Sequence, residues 1–324
     1  MFKNVVSFIN KHDSFLLTTH DSPDADGIGA QIVLSAILKA KGKTFRIINS
    51  TVIPSYLRFM DHESIIECWD NKKHSPLVSK YALIALDTSD EYHIGQMWDV
   101  IKSAKEMFIL DHHEQGPHSN LPGFIDTSAA SASELVVELA SYMELELDPK
   151  TATAAYAGIV YDTGFFAYPK TSVRTFRNAI KTLEWGADPN FVYRQLMESA
   201  SYQSLLLQKQ ALANLEFHAR KKIAVMTLSK DDLLMTGAGY EEAESIVNIP
   251  LKAKEVEISM LIKEKPTGEI RCSMRSKGKV NVSKIAQEFG GGGHVTAAGF
   301  RSSLSMEKTL NKLLCILEEK LANV

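Results

Sequence analysis

A chain of 324 residues with 45% hydrophobic content can bury a sizeable core, which excludes a disordered polymer and predicts two domains rather than one. The formal net charge of −3 provides no global positive field, so long duplex nucleic acid and anionic membranes are poor partners, and any nucleic-acid substrate is expected to be short or held locally. Cys68, Cys272 and Cys315 are far apart, odd in number and form no CxxC; neither a disulfide framework nor a thiolate zinc site is expected, and a reducing, cytoplasmic setting fits best. The N-terminal apolar residues are broken by Asn10, Lys11, His12 and Asp13, and no later apolar run approaches the length of a bilayer span, so the chain reads as soluble with no membrane partner.

In chain order, residues 14–19 form a short apolar, β-prone run, and 27–41 have a helical apolar pattern that stops at Gly42. Buried strands are predicted at 44–48, 82–86 and 107–110, and helices at 131–142 and 174–185. Strands alternating with helices predict a mostly parallel α/β sheet, which binds ligands beyond the carboxyl ends of its strands. Asp87 follows Leu86 there, and Asp111 follows Leu110. Beyond Gly186, helical stretches across 190–214 give way to a β-prone run at 222–228 and two more at 255–264 and 269–275, joined by a turn at Pro266, Thr267 and Gly268. A helix at 282–289, the glycine run 290–293 and an amphipathic helix at 305–321 complete a smaller α+β unit. The expected organisation is a larger α/β domain over 1–186, a helical connector over 187–214 and a smaller domain over 215–324, with a cleft between the two units.

Four segments carry the chemistry. His20-Asp21-Ser22-Pro23-Asp24-Ala25-Asp26-Gly27 lies between a predicted strand and a helix, and its histidine and spaced carboxylates can face adjacent metal ions from one loop. Asp24 or Asp26 could equally well cap the helix. Asp87-Thr88-Ser89-Asp90 and Asp111-His112-His113 follow two further strands, and Asp162 lies within 158–164. Each alone reads as a turn acid or a surface imidazole. Together in one α/β unit they point to a metal site, because independent turn residues have no reason to repeat ligand chemistry.

Those segments, HDSPDADG, LDTSD, DHH and GIVYDTG in that order, resemble the motifs of the DHH phosphoesterase superfamily, and GGGGH at 290–294 resembles its second, DHHA1-like domain. Within the superfamily the chain is most similar to bacterial oligoribonucleases, the nanoRNases, which also dephosphorylate 3′-phosphoadenosine 5′-phosphate. Its two-domain length and the segment Thr171-Ser172-Val173-Arg174-Thr175 favour that group. The resemblance implies one cation held by His20, Asp24 and Asp87 and a second held by Asp26, Asp87, His112 and Asp162, with Asp87 as the bridge. Mixed imidazole and carboxylate ligands suit Mn²⁺ better than Mg²⁺, with Co²⁺ as a substitute. Asp111 is expected to orient His112 or cap its loop, and Asp90 to play a structural or outer role. His113 is expected to donate to a phosphate oxygen or the leaving group.

The glycine run, Gly291, Gly292 and Gly293 included, allows a backbone to approach a phosphate closely. The resemblance assigns His294 and Arg275 to gripping the substrate's phosphate or terminal nucleotide, a role for which the guanidinium fork is suited. Tyr168 could stack on a base or simply pack in the core. The implied activity is hydrolysis of short single-stranded RNA, and of short DNA, to mononucleotides, and of the nucleoside bisphosphate to AMP. A manganese pyrophosphatase, a RecJ-like exonuclease and a nucleotide-sensing module are the alternatives. No obligate protein partner is evident, and a homodimer is compatible with the sequence.

Overall fold

The computed structural model describes residues 2–89, 91–114, 121–265 and 267–322. The chain divides into two compact units, Met1–Ser199 and Ala200–Val324. Asp90 and Pro266 lie outside the described residues, as does the side chain of His294.

The first unit is built on strands β1 (Ser14–Thr18), β2 (Thr44–Asn49), β3 (Ile66–Cys68), β4 (Ala82–Leu86), β5 (Glu106–Asp111) and β6 (Gly123–Ile125). They form one sheet in the order β3-β2-β1-β4-β5-β6, with every neighbouring pair parallel. The continuous apolar runs FLLT and ALIAL make this arrangement possible, because a parallel sheet covered on both faces hides both sides of its strands. The chain winds outward to β2 and β3 on one side of β1, then returns to place β4 on the other. The carboxyl ends of β1 and β4 therefore flank the point where strand order reverses, where α/β sheets bind ligands.

Helices α1 (Lys3–Lys11), α2 (Ala25–Ala40), α3 (Asn71–His74), α4 (Trp98–Ile101), α5 (Ala132–Tyr142), α6 (Pro149–Asp162), α7 (Val173–Glu184) and α8 (Pro189–Met197) surround the sheet. Helix α2 is buried almost all round, and glycines let α5 and α6 press against it. A Cβ at Gly29 would stand 2.7 Å from Ser133 Oγ and 2.8 Å from the Ala154 carbonyl, and one at Gly158 would overlap Ser133 outright. Helix α7 is inside out. It buries Thr175, Asn178, Ala179 and Thr182 and leaves Val173, Phe176, Ile180 and Leu183 exposed.

The second unit contains β7 (Glu216–His218), β8 (Ile223–Leu228), β9 (Ile258–Glu264), β10 (Ile270–Ser276), β11 (Gly292–His294) and β12 (Ala297–Ser302) in the order β11-β12-β10-β9-β8-β7. Only β8 and β9 run parallel; the other neighbours are antiparallel. Alternation along β8 divides the core: Ile223 and Val225 face α11 (Val282–Gln287) and α12 (Met306–Ala322), while Met226 and Leu228 pack with Leu207, Ala211 and Leu233 of α9 (Tyr202–Ala213) and α10 (Lys230–Thr236). Lys263 is fully buried in β9 and is accommodated by Glu244 at 2.7 Å and by the Tyr240 ring, 4.0 Å from its ammonium. Among the described residues no helix is long and apolar enough to cross a membrane.

Candidate metal centre

The sequence from Thr18 to Asp26 leaves a strand, reverses and enters α2. Asp24 caps that helix, its carboxylate accepting from the Asp26 and Gly27 amides at 2.9 and 3.1 Å. It also faces His20, whose Nε2 lies 3.6 Å from Asp24 Oδ1 and 3.5 Å from Asp87 Oδ2. Capping and clustering are thus both tasks of Asp24. Asp87 follows β4 with φ 57°, a left-handed conformation that aspartate tolerates better than most residues, and its amide donates to the Leu110 carbonyl at 3.0 Å.

His112 is buried among three carboxylates. Its Nε2 is 3.2 Å from Asp162 Oδ2, 3.4 Å from Asp87 Oδ1 and 3.7 Å from Asp26 Oδ2. Asp26 is fully buried and is held by the first amides of α5, Ala132 and Ser133, at 2.6 and 2.7 Å. Asp162 ends α6, on a helix rather than a strand end. His113 is half exposed; its Nδ1 lies 2.9 Å from Asp111 Oδ1 and 3.5 Å from Asp87 Oδ1. Asp111 also accepts the amides of His112 and His113, at 2.7 and 3.2 Å.

Two compact trios result, His20–Asp24–Asp87 and Asp26–His112–Asp162, with Asp87 also close to Asp111, His112 and His113. Burial disfavours the imidazolium of His20, but Asp24 and Asp87 overcome it and its pKa is pushed up to about 10. Burial, then the charges of Asp87, Asp162 and Asp24, push Asp26 well up. Asp162 is raised by burial and Asp87 to about 6. For Asp87 burial acts in the same direction, but His112 and His20 outweigh it and hold the carboxyl low. The cluster thus favours protonation of His20, Asp26 and Asp162 for want of positive charge. Divalent cations fit this set: both ring nitrogens of His112 and Oδ1 of Asp87 are buried without a hydrogen-bond partner, and the imidazole and carboxylate donors suit such ions.

A cation held by His20 would need the neutral imidazole, whereas Asp24 and Asp87 favour the protonated ring in the metal-free cluster. Rising pH removes this competing proton and those favoured on Asp26 and Asp162, so Mn²⁺ affinity is expected to increase by about tenfold or more per pH unit between about pH 6 and about pH 9. Calorimetry in buffers of different ionisation enthalpy should record proton release on binding. An affinity that is flat between about pH 6 and about pH 9 would contradict this placement of the proton.

Arg275, Gly291, Gly292, Gly293 and His294 belong to the second unit. Backbone register aligns Arg275 with Ala297 and Ala297 with His294, so the three positions form one row across β10, β12 and β11. Arg275 donates from Nη1 to the Met274 carbonyl at 3.0 Å. The glycines have separate tasks: a Cβ at Gly291 or Gly293 would collide with β12, whereas one at Gly292 would meet open space. Tyr168 is 57% exposed, which excludes a core role. Sequence reading missed Lys170, whose ammonium donates to the His112 carbonyl at 3.2 Å, and the α5 amides that hold Asp26. The Ser131-x-x-Glu134 pattern, a helix-start signature, was the available signal for the latter.

Clustered carboxylates and imidazoles at the switch point of a parallel sheet suit divalent metal ions, and the family comparisons identify the class of protein as a phosphoesterase. Residues 14–159 match the DHH family N-terminal domain and 221–323 match the DHHA1 domain. The chain is 30% identical, over 93% of both sequences, to a Streptococcus mutans protein named probable bifunctional oligoribonuclease and PAP phosphatase NrnA. An exopolyphosphatase-related protein from Bacteroides fragilis superposes with a TM-score of 0.92 at 25% identity, covering 99% of this chain and 97% of that one. RecJ from Thermus thermophilus, solved in complex with Mn²⁺, shares the fold at a TM-score of 0.55 and 14% identity, covering 99% of this chain and 54% of that one. The chain belongs to the DHH family.

Proposed function

We propose that this protein hydrolyses short single-stranded oligoribonucleotides, and short DNA, to mononucleotides, and 3′-phosphoadenosine 5′-phosphate to AMP. The observation that carries the proposal is the pair of ligand trios flanking Asp87, on a chain similar along its length to a relative named for both activities. His20, Asp24 and Asp87 are assigned to one cation, and Asp26, Asp87, His112 and Asp162 to the other. Mn²⁺ is the favoured metal, for which Co²⁺ can substitute. When bound, the cations activate water and offset charge developing on the phosphoryl oxygens.

The protein's own groups do the rest. Asp111 accepts from Nδ1 of His113, which leaves Nε2 free to donate to a non-bridging oxygen or the leaving group. Burial opposes the imidazolium of His113, but Asp111, Asp87 and Asp162 raise its pKa, favouring the form that can donate. Residues 215–324 are assigned to substrate binding, with Arg275, His294 and the open backbone at Gly292 holding a terminal nucleotide. Unpaired cysteines support a reducing, cytoplasmic place of action.

The test is to incubate the protein and Mn²⁺ with an oligonucleotide length series, 3′-phosphoadenosine 5′-phosphate and pyrophosphate. Turnover of pyrophosphate alone would replace this reading with a pyrophosphatase. In the same assay Arg275→Ala is expected to impair dinucleotide cleavage by about tenfold or more, to spare a generic aryl phosphate ester and to leave metal content unchanged. Equal loss on both substrates would indicate damage to the fold rather than to a nucleotide grip.

A further inference from the structure

The inward face of α7 carries Arg174, from the segment that favoured the nanoRNase resemblance. Its guanidinium forks onto Glu138, with Nε and Nη2 each 2.6 Å from a carboxylate oxygen. Nη1 reaches Asp126 at 2.8 Å and Ser128 Oγ at 3.1 Å, and Nε lies 3.6 Å from Glu134. Thr175 and Asn178 add bonds to Glu134 at 3.3 and 3.1 Å, and Asn178 a further one to Glu138 at 3.0 Å. Gathering three carboxylates around one guanidinium, with Glu134 fully buried and the other groups partly so, is a poor way to stabilise a fold compared with apolar packing. Turning the apolar residues of α7 outward to achieve it needs another explanation.

The carboxylates belong to segments that seat one side of the metal centre. The Asp126 amide donates to the Asp111 carbonyl at 3.0 Å, immediately before His112. Glu134 accepts the Ala130 amide at 2.8 Å and fixes the turn that aims the Ala132 and Ser133 amides at Asp26. Glu138 follows one turn along the same helix. His20, Asp24 and Asp87 are held differently, through the cap of α2 and the Leu110 carbonyl.

We propose that Arg174 is a positioning residue for the Asp26–His112–Asp162 side of the centre, acting through the turn at 126–133 and the first turn of α5. The inference rests on the two-metal reading above. Its test is calorimetric titration of the metal-free full-length protein with Mn²⁺, accompanied by the Mn²⁺ electron paramagnetic resonance signal, for the wild type, Arg174→Gln and Arg174→Lys. Wild type should bind two ions. Arg174→Gln should bind one ion with near wild-type affinity and the other about ten- to a hundredfold more weakly, with loss of the spin-coupled signal. Arg174→Lys keeps the charge but not the fork and should fall between them. Excess Mn²⁺ should restore phosphoesterase turnover in both variants. Two ions bound normally by Arg174→Gln, or equal weakening of both ions together with a lower melting temperature in both variants, would overturn the proposal. Failure of the wild type to bind two ions would sink the two-metal reading and this inference with it.

Discussion

Replacing Asp87 with asparagine is expected to lower phosphoesterase turnover by about 10³-fold or more and to reduce bound Mn²⁺ below two ions per chain. Asparagine is the informative substitute because it also tolerates the left-handed backbone at this position, so the loss can be assigned to charge. Alanine should abolish activity as well, but with an added cost in stability. The reason lies in the distances: Asp87 Oδ2 faces His20 at 3.5 Å and Oδ1 faces His112 at 3.4 Å, so one carboxylate spans both trios. Elemental analysis and turnover of the same preparation decide the matter. Two ions and normal turnover in Asp87→Asn would remove Asp87 from the bridging role.

The second large effect separates two adjacent histidines. His112→Ala should lose both metal and activity, because its Nε2 is buried among three carboxylates. His113→Ala should keep most of its metal while turnover falls by about 10²- to 10⁴-fold, the usual range for removing a positioned proton donor. His113 is half exposed and already tied to Asp111, which fits a group presented to substrate. Equal metal loss in the two variants would make His113 a ligand and defeat its role as donor.

The parallel sheet is legible in the sequence because its central strands are unbroken apolar runs with an acid or histidine just beyond each. Residues 82–86 carry that signal undiluted, and the observed strand is Ala82–Leu86. Three-residue strands such as Ile66–Cys68 and Gly123–Ile125 are too short to show a period, and their pairing is set by neighbours already in place. The stretch 190–214 proves to be two helices, broken before Ser201, which caps the second. Helix α6 was readable from Asp148 and Pro149 at its start, yet its apolar positions run all round and show no clear face. The glycine run carries no strand signal, yet residues 292–294 form a strand paired with β12. The turn after Asp162 is hidden for a different reason: Phe165 and Phe166 both adopt positive φ, which their side chains give no cause to expect, and packing of Phe166 against Phe176 and Phe165 against Tyr193 accompanies it. Helix α7 is legible as a helix, expected at 174–185 and observed at Val173–Glu184, but its apolar face points away from the core, so the pattern does not reveal which side is buried.

The strand order also dictates when the centre can come into being during synthesis. β1 leaves the ribosome first among the strands, yet its partner on the catalytic side is β4, and the helix that carries Asp162 follows much later. A nascent chain that ends before α6 holds His20, Asp24, Asp26 and Asp87 without the last carboxylate, and one that ends before α5 also lacks the amides that seat Asp26. The candidate ligand set is therefore complete only once the chain has been made through α6, and a fragment that ends before α6 is expected to bind divalent cations more weakly than the full chain.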